Sequence, residues 1–503
     1  MTLWEMLRRS AERHRDKTAV LFRGEAWSYA RLFSSAQDLG CSLRGLHVGR
    51  GDRVAVMLPN SPAFILAYFA IQAAGAVVVP VNVLLKPEEL AYLLEDSEAS
   101  LILSIRPFYP VIQEARKLLA SKVKAVLFEP EEAGLEEGDL SFGSLLRLKG
   151  LGVSGPADPE DVAAGLYTSG TTGRPKGAML THRNLLSNID SFAQVAPWDE
   201  RDVLLCVLPL FHSFAQTCLM LFPLSVGATV VLEPKFVPDQ ILQLIAQRQV
   251  TLFAGVPAMY AVWAQMPALN LDFSSWRFCV SGGAALSPEV LERFEAKYPV
   301  RIYEGYGPTE CSPVLTVNPF DLERRKVGSV GLPIPGVAIK IVDEAGRELP
   351  RGEVGEIIAR GPNVMKGYWR RPQETAEVLK DGWFYTGDLG RMDEEGYVYI
   401  VDRKKDLIIV GGLNIYPREV EEVLLAHPKV AEAAVIGIKD PIKGEKVKAV
   451  LVLKEGQEGT AKEIREHCRK SLAPFKIPRH IEFRASLPKT ATGKVAKPLL
   501  RQE

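Results

Sequence analysis

Residues 167–177 read Tyr167-Thr168-Ser169-Gly170-Thr171-Thr172-Gly173-Arg174-Pro175-Lys176-Gly177, and an apolar run of strand length, 162–166, precedes them. Glycines let backbone N–H groups converge on an anion, hydroxyls add donors or a metal ligand, and a lysine supplies a positive charge. The stretch is not a Walker A loop, because Lys176 is followed by glycine and no helix opens directly on it. We therefore predict a triphosphate-binding loop without a kinase or GTPase mechanism. A polar surface loop is the alternative interpretation of these residues taken alone.

The composition excludes several classes of partner. Lys and Arg (61 residues) balance Asp and Glu (61 residues), so nothing predicts a nucleic acid partner. The length of 503 residues exceeds one typical domain of about 100–200 residues, and 47% hydrophobic residues suffice for sizeable cores. We expect small-molecule partners. The sequence leaves open a homodimer and peripheral contact with a membrane.

The cysteines and the amino terminus predict a cytoplasmic protein. None of the six cysteines forms a CxxC pair, so we expect buried free thiols in a reducing compartment. Residues 1–17 are charged throughout and lack an apolar signal region. Two uncharged stretches, 60–85 and 203–232, are interrupted by proline and glycine. We interpret both as buried core rather than membrane spans.

The chain alternates between strand-like apolar runs and helical segments up to about residue 400. This alternation predicts an α/β fold in which parallel βα units build sheets covered by helices. After the charged cluster 402–406 the pattern becomes that of a small α+β domain, with Pro417 placed to begin a helix. We predict a large domain over residues 1–402 and a small one over 403–503.

Five further segments carry polar residues and glycines in a specific order. They are Leu208-Pro209-Leu210-Phe211-His212-Ser213-Phe214, Ser281-Gly282-Gly283-Ala284-Ala285, Glu304-Gly305-Tyr306-Gly307-Pro308-Thr309-Glu310, Tyr385-Thr386-Gly387-Asp388-Leu389 and Pro488-Lys489-Thr490-Ala491-Thr492-Gly493-Lys494. Together with residues 167–177, these segments resemble the acyl-adenylate-forming superfamily: acyl- and aryl-CoA synthetases, adenylation domains of nonribosomal peptide synthetases, and beetle luciferases. The resemblance covers essentially the whole chain. It implies a large AMP-binding domain and a small mobile carboxyl-terminal domain.

The resemblance implies which residues contact ATP and AMP. They are Thr168, Ser169, Gly170, Thr171, Thr172, Gly173, Lys176, Gly282, Gly283, Ala284, Glu304, Gly305, Tyr306, Gly307, Thr309, Asp388, Arg403 and Lys494. Within this set Tyr306 lies against the purine, Asp388 holds the ribose hydroxyls and Arg403 contacts the ribose and a phosphate. Thr309 contacts the α-phosphate.

The resemblance also implies the catalytic residues, namely Lys494, His212, Thr309 and Glu310. Lys494 neutralises charge on the α-phosphate, and His212 shapes the site and gates the acid. His212 need not be a base, because a carboxylate is already ionised near neutral pH. Glu310 and Thr168 would hold Mg²⁺, which prefers carboxylate and other oxygen ligands.

The predicted acyl pocket is apolar. By resemblance it includes His212, Ser213, Phe214, Gly255 and Gly307. The surrounding residues 211–224 and 255–260 contain no Arg or Asp that would hold a dicarboxylate or an amino group. Glu310-Cys311-Ser312-Pro313-Val314 and Asp381-Gly382-Trp383-Phe384 resemble bacterial fatty acyl-CoA ligases, although Pro308 stands where many of these enzymes carry Leu. These features favour a fatty acid and leave its chain length open.

The resemblance implies two half-reactions with ATP and CoA as co-substrates. Lys405 is the implied hinge about which the small domain turns after adenylation, and Gly411, Gly412 and Leu413 would then face the thiol. Three alternatives remain within the same fold: an aryl- or other-acid CoA ligase, an acyl-AMP ligase that loads a carrier-protein phosphopantetheine, and a luciferase-like oxygenase. A non-catalytic nucleotide sensor is disfavoured, because it would need neither Lys494 nor Glu310.

Overall fold

The structure is a computed structural model that describes residues 1–120, 123–129, 134–148, 152, 158–168, 174–410, 413–440, 444–490 and 495–501. Its contacts divide the chain into two compact units. Unit 1 comprises Met1–Val327, Gly331–Ala338 and Ala359–Phe384, and unit 2 comprises Gly328–Val330, Ile339–Ile358 and Tyr385–Glu503. The boundary predicted between residues 402 and 403 separates two parts of the chain that are expected to move as separate bodies. It stays a prediction.

Helices and strands alternate along most of the chain. The helices are α1 Leu3–Arg13, α2 Tyr29–Gly45, α3 Pro62–Ala73, α4 Pro87–Ser97, α5 Tyr109–Arg116, α6 Phe142–Arg147, α7 His182–Ala193, α8 Phe222–Val226, α9 Pro238–Gln247, α10 Pro257–Gln265, α11 Pro288–Lys297, α12 Pro372–Val378, α13 Pro417–Leu425, α14 Ala461–Cys468 and α15 Lys497–Arg501. Short 3₁₀ turns cover Arg106–Phe108, Thr309–Cys311 and Lys404–Asp406, and a π-helix covers Ala215–Leu221.

Strands occur in both units, and two of them frame the phosphate segment. In chain order the strands are β1 Thr18–Phe22, β2 Glu25–Ser28, β3 Arg53–Val56, β4 Val77–Pro80, β5 Leu101–Ser104, β6 Lys124–Leu127, β7 Leu140–Ser141, β8 Val162–Thr168, β9 Lys176–Thr181, β10 Val203–Cys206, β11 Thr229–Leu232, β12 Leu252–Gly255, β13 Phe278–Ser281, β14 Arg301–Tyr306, β15 Thr316–Val317, β16 Leu332–Pro333, β17 Ala338–Val342, β18 Gly355–Arg360, β19 Gly367–Tyr368, β20 Leu379–Lys380, β21 Trp383–Met392, β22 Val398–Arg403, β23 Ile408–Val410, β24 Leu413–Ile415, β25 Val430–Asp440, β26 Gly444–Leu453 and β27 His480–Phe483.

Unit 1 contains two large sheets. One has eight strands in the order β19-β9-β8-β4-β3-β5-β6-β7, and the other has nine in the order β16-β15-β14-β13-β12-β10-β11-β1-β2. Their central strands pair in parallel, for example β3 with β4 and β13 with β14. Strands such as Val77–Pro80 are buried at every position, as expected where helices cover both faces of a parallel sheet. The predicted α/β fold is confirmed.

The two uncharged stretches form buried core elements of unit 1. The first forms α3 and β4, and every described side chain of α3 except Ala63 is buried. Gly40 of α2 lets this helix approach closely, because a Cβ there would lie 2.8 Å from the Ala73 Cβ. The second stretch forms β10, the π-helix, α8 and β11. Within the part of the chain that the structure describes, no helix combines the length and apolar character needed to cross a membrane.

Unit 2 has an α+β core. Most of the sheet ordered β17-β18-β21-β20, with β22 beside β21, belongs to it, and so does a second sheet ordered β24-β23-β26-β25 with β27 beside β26. The helix that Pro417 begins packs Val420 and Leu424 into the core that also contains Ile408 and Val435. The prediction that Pro417 begins a helix is therefore confirmed.

Candidate active site

The phosphate segment connects the two strands of a hairpin. β8 and β9 pair antiparallel, with Tyr167 opposite Gly177 and Thr168 opposite Lys176. The strands therefore deliver both ends of the segment to one edge of the sheet. The residues predicted to contact phosphate at the tip lie outside the described residues: Ser169, Gly170, Thr171, Thr172 and Gly173.

The structure brings the two predicted metal-binding residues together. Glu310 lies in the 3₁₀ turn after β14, and its Oε1 accepts a hydrogen bond of 3.2 Å from the Thr168 hydroxyl. Glu310 is 9% exposed, and one or two carboxylates with neighbouring hydroxyl and phosphate oxygens are what Mg²⁺ prefers. Among the described residues, no three or more His, Cys, Asp or Glu form a cluster that could hold a metal ion. The Glu310 carboxylate and the Thr168 hydroxyl are oxygen ligands of the kind that fits Mg²⁺.

Tyr368 completes this corner of the site, and sequence reasoning missed it. Its phenol donates a 2.8 Å hydrogen bond to the same Oε1 of Glu310. The Nζ of Lys176, a residue only 7% exposed, lies 5.3 Å from the centroid of the Tyr368 ring. Burial, followed by the Glu310 charge, raises the pKa of the Tyr368 phenol, so it donates as a neutral group. In the sequence, Tyr368 is distinguished only by its neighbour Gly367, and this pair of residues does not indicate a hydrogen bond to Glu310.

The predicted acid-gating segment reaches the predicted α-phosphate threonine. The hydroxyls of Ser213 and Thr309 lie 3.0 Å apart. Four residues further along, Thr217 donates a 2.8 Å hydrogen bond to the carbonyl of Ser312, the residue that follows the turn Thr309–Cys311. Ser213 and Thr217 therefore contact this turn and the residue after it. The Nδ1 of His212 accepts the N–H of Phe214 at 3.2 Å. The proton of a neutral His212 ring therefore lies on Nε2.

The predicted nucleotide-binding residue Gly282 and the predicted acyl-pocket residue Gly255 meet at the carboxyl ends of parallel strands. β12, β13 and β14 are neighbours, and the N–H of Gly282 donates a 3.2 Å hydrogen bond to the carbonyl of Gly255. A Cβ at Gly282 would lie 3.2 Å from the Phe214 ring. A Cβ at Gly307 would lie 1.6 Å from the Pro313 carbonyl oxygen, so only glycine fits there. Open α/β sheets bind their ligands at this edge.

Other predicted nucleotide contacts lie in the same strand ends. Glu304 is buried, and its Oε1 accepts the N–H of Leu286 at 3.4 Å. Gly283 adopts φ +81° in an exposed turn, a conformation that favours glycine. Gly305 pairs with Val317, and Tyr306 with Thr316, in the β14–β15 ladder. Ala284 is exposed in the turn after Gly283.

The predicted ribose residues lie together in unit 2. Asp388 and Arg403 are paired across β21 and β22, and the Arg403 Nε lies 3.1 Å from the Asp388 Oδ1. Lys405 is exposed in the 3₁₀ turn Lys404–Asp406, and Leu413 is exposed at the start of β24. Three further predicted residues of unit 2 lie outside the described residues: Gly411, Gly412 and Lys494.

The cysteines form no disulfide among the described residues. All six are free thiols, and five of them are buried, as the sequence predicts. Burial raises the pKa of Cys218 to about 12 and that of Cys468 to about 11. These two thiols therefore stay protonated near neutral pH and are poor nucleophiles.

The fold and these sites define an adenylate-forming class of enzyme, and comparison with protein families agrees. The family model described as AMP-binding enzyme matches residues 7–369, and the model described as AMP-binding enzyme C-terminal domain matches residues 419–494. The chain therefore belongs to the AMP-binding enzyme family.

Curated relatives match the chain over nearly its whole length. The long-chain-fatty-acid–CoA ligase of Bacillus subtilis (strain 168) is 40% identical, and the alignment covers 100% of this chain and 94% of that protein. The feruloyl-CoA synthase of an Amycolatopsis species is 39% identical, with coverage of 96% and 95%.

Solved structures of related enzymes have the same fold. ATP-bound MatB from Rhodopseudomonas palustris gives a TM-score of 0.90 at 35% identity, covering 100% of this chain and 99% of that one. The anthranilate CoA ligase AuaEII in complex with anthranoyl-AMP gives 0.90 at 31% identity, with coverage of 100% and 97%.

Proposed function

We propose that this chain is a fatty acid–CoA ligase that forms acyl-AMP from ATP and a fatty acid and then transfers the acyl group to CoA. The observation that supports it best is the convergence of Thr168, Glu310, Thr309 and Ser213 at the end of the phosphate hairpin. In this arrangement the Glu310 carboxylate and the Thr168 hydroxyl, which we propose as the metal-binding oxygens, lie near the segment that is predicted to admit the acid. The family and the names of the relatives agree with this chemistry.

In the first step a carboxylate oxygen of the acid attacks the α-phosphorus of ATP. The bond to the bridging oxygen breaks, and pyrophosphate leaves with that electron pair. The hydroxyl of Thr309 orients the α-phosphate, while Lys176 and the hairpin N–H groups hold the triphosphate. Catalysis is then positioning plus electrostatic stabilisation, so no enzyme nucleophile is required.

We further propose Mg²⁺ as the cofactor, held by the Glu310 carboxylate with the Thr168 hydroxyl beside it. Bound there, it would offset negative charge that builds up on the phosphate oxygens. Tyr368 fixes the Glu310 side chain through Oε1.

In the second step the sulfur of CoA attacks the acyl carbon, and AMP leaves with the oxygen that came from the acid. We propose that Lys494 serves only the first step and that the small domain turns about Lys405 between the steps. Lys494→Ala should then abolish acyl-AMP formation while leaving thioester formation from supplied acyl-AMP largely intact. Equal loss in both half-reactions would rule out this role for Lys494.

An aryl acid is the second candidate substrate, and one buried side chain favours it. Gln216 lies within the segment predicted to line the acyl pocket, and it is fully buried. Neither polar atom of its amide has a hydrogen-bond partner among the described residues. An acid with a polar ring substituent could satisfy this amide, whereas an alkyl chain could not.

The proposal is tested with a panel of acids. The purified protein is incubated with MgATP and fatty acids of increasing length, ferulate, benzoate or malonate, each with and without CoA, and the products are identified by mass spectrometry. We expect AMP, pyrophosphate and acyl-CoA with a fatty acid. Formation of acyl-CoA from ferulate alone would favour the aryl alternative, and acyl-AMP that CoA never consumes would favour a carrier protein as acceptor.

The remaining predictions concern location and assembly. The free cysteines support a reducing, cytoplasmic location, which fractionation of the native cell would check. A homodimer and peripheral membrane contact stay predictions, for which analytical ultracentrifugation and vesicle flotation are the direct measurements.

A further inference from the structure

The ring of Tyr167, at the base of the phosphate hairpin, packs across the hairpin itself. A Cβ at Gly177, its cross-strand partner, would lie 3.1 Å from the Tyr167 ring carbons, so glycine leaves room for this ring beside the opposite strand. The phenol then leaves the hairpin and donates a 2.8 Å hydrogen bond to the Oδ2 of Asp96. Asp96 lies near the end of helix α4, whose residues the sequence analysis assigned no functional role.

Asp96 connects this strand to a second chain segment. Its Oδ1 accepts a hydrogen bond of 2.5 Å from the guanidinium of Arg371. Arg371 follows the short strand β19, which pairs with β9, and the N–H of Trp369 donates a 2.8 Å bond to the Gly177 carbonyl. The path from Tyr167 through Asp96 and Arg371 therefore returns to the same hairpin and closes a ring of contacts.

The same helix holds the other end of the phosphate segment. The phenol of Tyr92, one turn before Asp96, donates a 2.8 Å hydrogen bond to the Pro175 carbonyl. Arg371 also donates to the Tyr92 oxygen at 3.3 Å, and the Arg174 guanidinium lies 5.3 Å from the Tyr92 ring centroid. Both ends of the segment are thus fixed to α4, one through Asp96 and the other through Tyr92.

Arg371 balances the negative charge of the Asp96 carboxylate. The side chain of Asp96 is 10% exposed, and that of Arg371 is 35% exposed. A carboxylate this close to a triphosphate-binding segment would repel the phosphates if no cation compensated it. Arg371 supplies that cation, so Asp96 can accept the Tyr167 bond without adding net negative charge.

We propose that Asp96 is a positioning residue for the adenylation step, which fixes the phosphate hairpin through Tyr167 and Arg371 so that ATP binds in its reactive geometry. The inference rests on the proposed function, because it takes the hairpin as the ATP site. Asp96 acts through Tyr167 and Arg371, not on the substrate.

The test uses a matched cluster elsewhere in unit 1. The phenol of Tyr109 donates a 2.7 Å hydrogen bond to Asp139, which also pairs with Arg116 at 2.6 Å. The variants are Asp96→Asn and Tyr167→Phe at the hairpin, with Asp139→Asn and Tyr109→Phe as controls. Tyr167→Phe removes only an oxygen, so it keeps the test valid if Asp96→Asn folds poorly.

We expect the dissociation constant for MgATP, measured by calorimetry, to rise about tenfold in both hairpin variants. The KM for the acid and for CoA, and thioester formation from supplied acyl-AMP, should not change. Hydrogen exchange in the peptide spanning 167–177 should accelerate in Asp96→Asn and keep its wild-type rate in Asp139→Asn. An unchanged ATP affinity in both hairpin variants, or an equal loss in the controls, would overturn the proposal.

The binding readout separates this inference from the proposed function. Wild-type protein that binds MgATP but forms no acyl-AMP would refute the ligase activity, and the ATP affinities of the variants would still decide the role of Asp96. Wild-type protein that does not bind MgATP would overturn both.

Discussion

Two clusters in unit 1 are built from the same three side chains, a tyrosine, an aspartate and an arginine. In one, Asp96 joins Tyr167 to Arg371 with bonds of 2.8 and 2.5 Å. In the other, Asp139 joins Tyr109 to Arg116 with bonds of 2.7 and 2.6 Å.

The two clusters differ in the chain segments that they connect. Asp139 also accepts the N–H of Ala125, so it connects β6 to the end of α5 and to the segment before β7. Asp96 connects α4 to the base of the hairpin that carries the phosphate segment. Each cluster joins a phenol and a guanidinium through one carboxylate, so we expect its place in the fold to decide whether it has a functional consequence.

The largest effect should come from Glu310, the carboxylate that contacts Thr168 at the end of the phosphate hairpin. Glu310→Gln removes the charged oxygen beside Thr168 while keeping the side-chain volume. We expect acyl-AMP formation to fall by at least about 100-fold. The rate of ATP–pyrophosphate exchange measures it, and Asp139→Asn, which removes a charge in the other cluster, should exchange at the wild-type rate. Comparable losses in the two variants would contradict a specific role for Glu310 in acyl-AMP formation.

The next effect concerns the phenol bound to Glu310. Tyr368→Phe removes a hydrogen bond to a charged group and leaves the ring beside Lys176. Such a bond is worth about 1.5 kcal/mol or more, so kcat/KM for ATP should fall about tenfold. We also expect the Mg²⁺ concentration for half-maximal exchange to rise. Tyr109→Phe removes an equivalent phenol from the control cluster, and neither quantity should change in that variant.

In the control cluster, formed by Asp139, Tyr109 and Arg116, we expect substitution of the carboxylate to change the free energy of unfolding. Burial alone would raise the pKa of Asp139, but hydrogen bonds from Arg116, from the Ala125 N–H and from Tyr109 outweigh it and lower the pKa. A carboxyl with a lowered pKa stabilises the fold above its unfolded pKa of about 3.9 and loses that contribution as pH falls through the folded pKa. Asp139→Asn should therefore lower the free energy of unfolding by about 2 kcal/mol at pH 7.

Urea denaturation from pH 7 down to pH 3 checks the sign of this effect. The gap between wild type and Asp139→Asn should narrow below about pH 4, because Asp139 of the unfolded chain takes up a proton there, whereas Asp139 of the folded protein does so only at lower pH. A gap of constant size over the whole range would show that the charge of Asp139 does not stabilise this cluster.

The smallest effect is expected at Gln216, outside both clusters. Gln216→Leu replaces a fully buried amide without a described partner by an apolar side chain of similar size. We expect the protein to keep its stability or gain about 1 kcal/mol, and kcat/KM for a long-chain acid to rise relative to ferulate. Thermal unfolding and competition between the two acids measure these changes. A loss of stability would indicate that the Gln216 amide is hydrogen-bonded in solution.

Much of the fold could be predicted from local patterns. Leu101–Ser104, one of the short apolar runs of the alternating pattern, is a strand because a run of this length buried on both faces has few alternatives. Pro417 begins a helix because its fixed φ and missing N–H suit the first helical position. Among the site residues, Thr168 and Glu310 were predicted from the resemblance of their motifs to the acyl-adenylate-forming superfamily, and they lie in contact.

The remainder depends on contacts between distant parts of the chain. Asp96 is 71 residues from Tyr167 and 275 from Arg371, so no local pattern relates them. The hydrogen bond from Tyr368 to Glu310 spans 58 residues and depends on how β19 pairs with β9. The π-helix Ala215–Leu221 lies in a run that, by its sequence, indicates only buried core, and its backbone geometry is set by packing.

The central claim is that an acid's carboxylate attacks the α-phosphorus of ATP at this hairpin. It is tested most directly with a fatty acid whose carboxylate carries heavy oxygen, incubated with MgATP, CoA and the wild-type protein, followed by mass spectrometry of every product. The account predicts that each AMP contains one heavy oxygen from the acid and that pyrophosphate contains none. Heavy oxygen in inorganic phosphate, with ADP as the nucleotide product, would show attack at the γ-phosphorus and contradict the account.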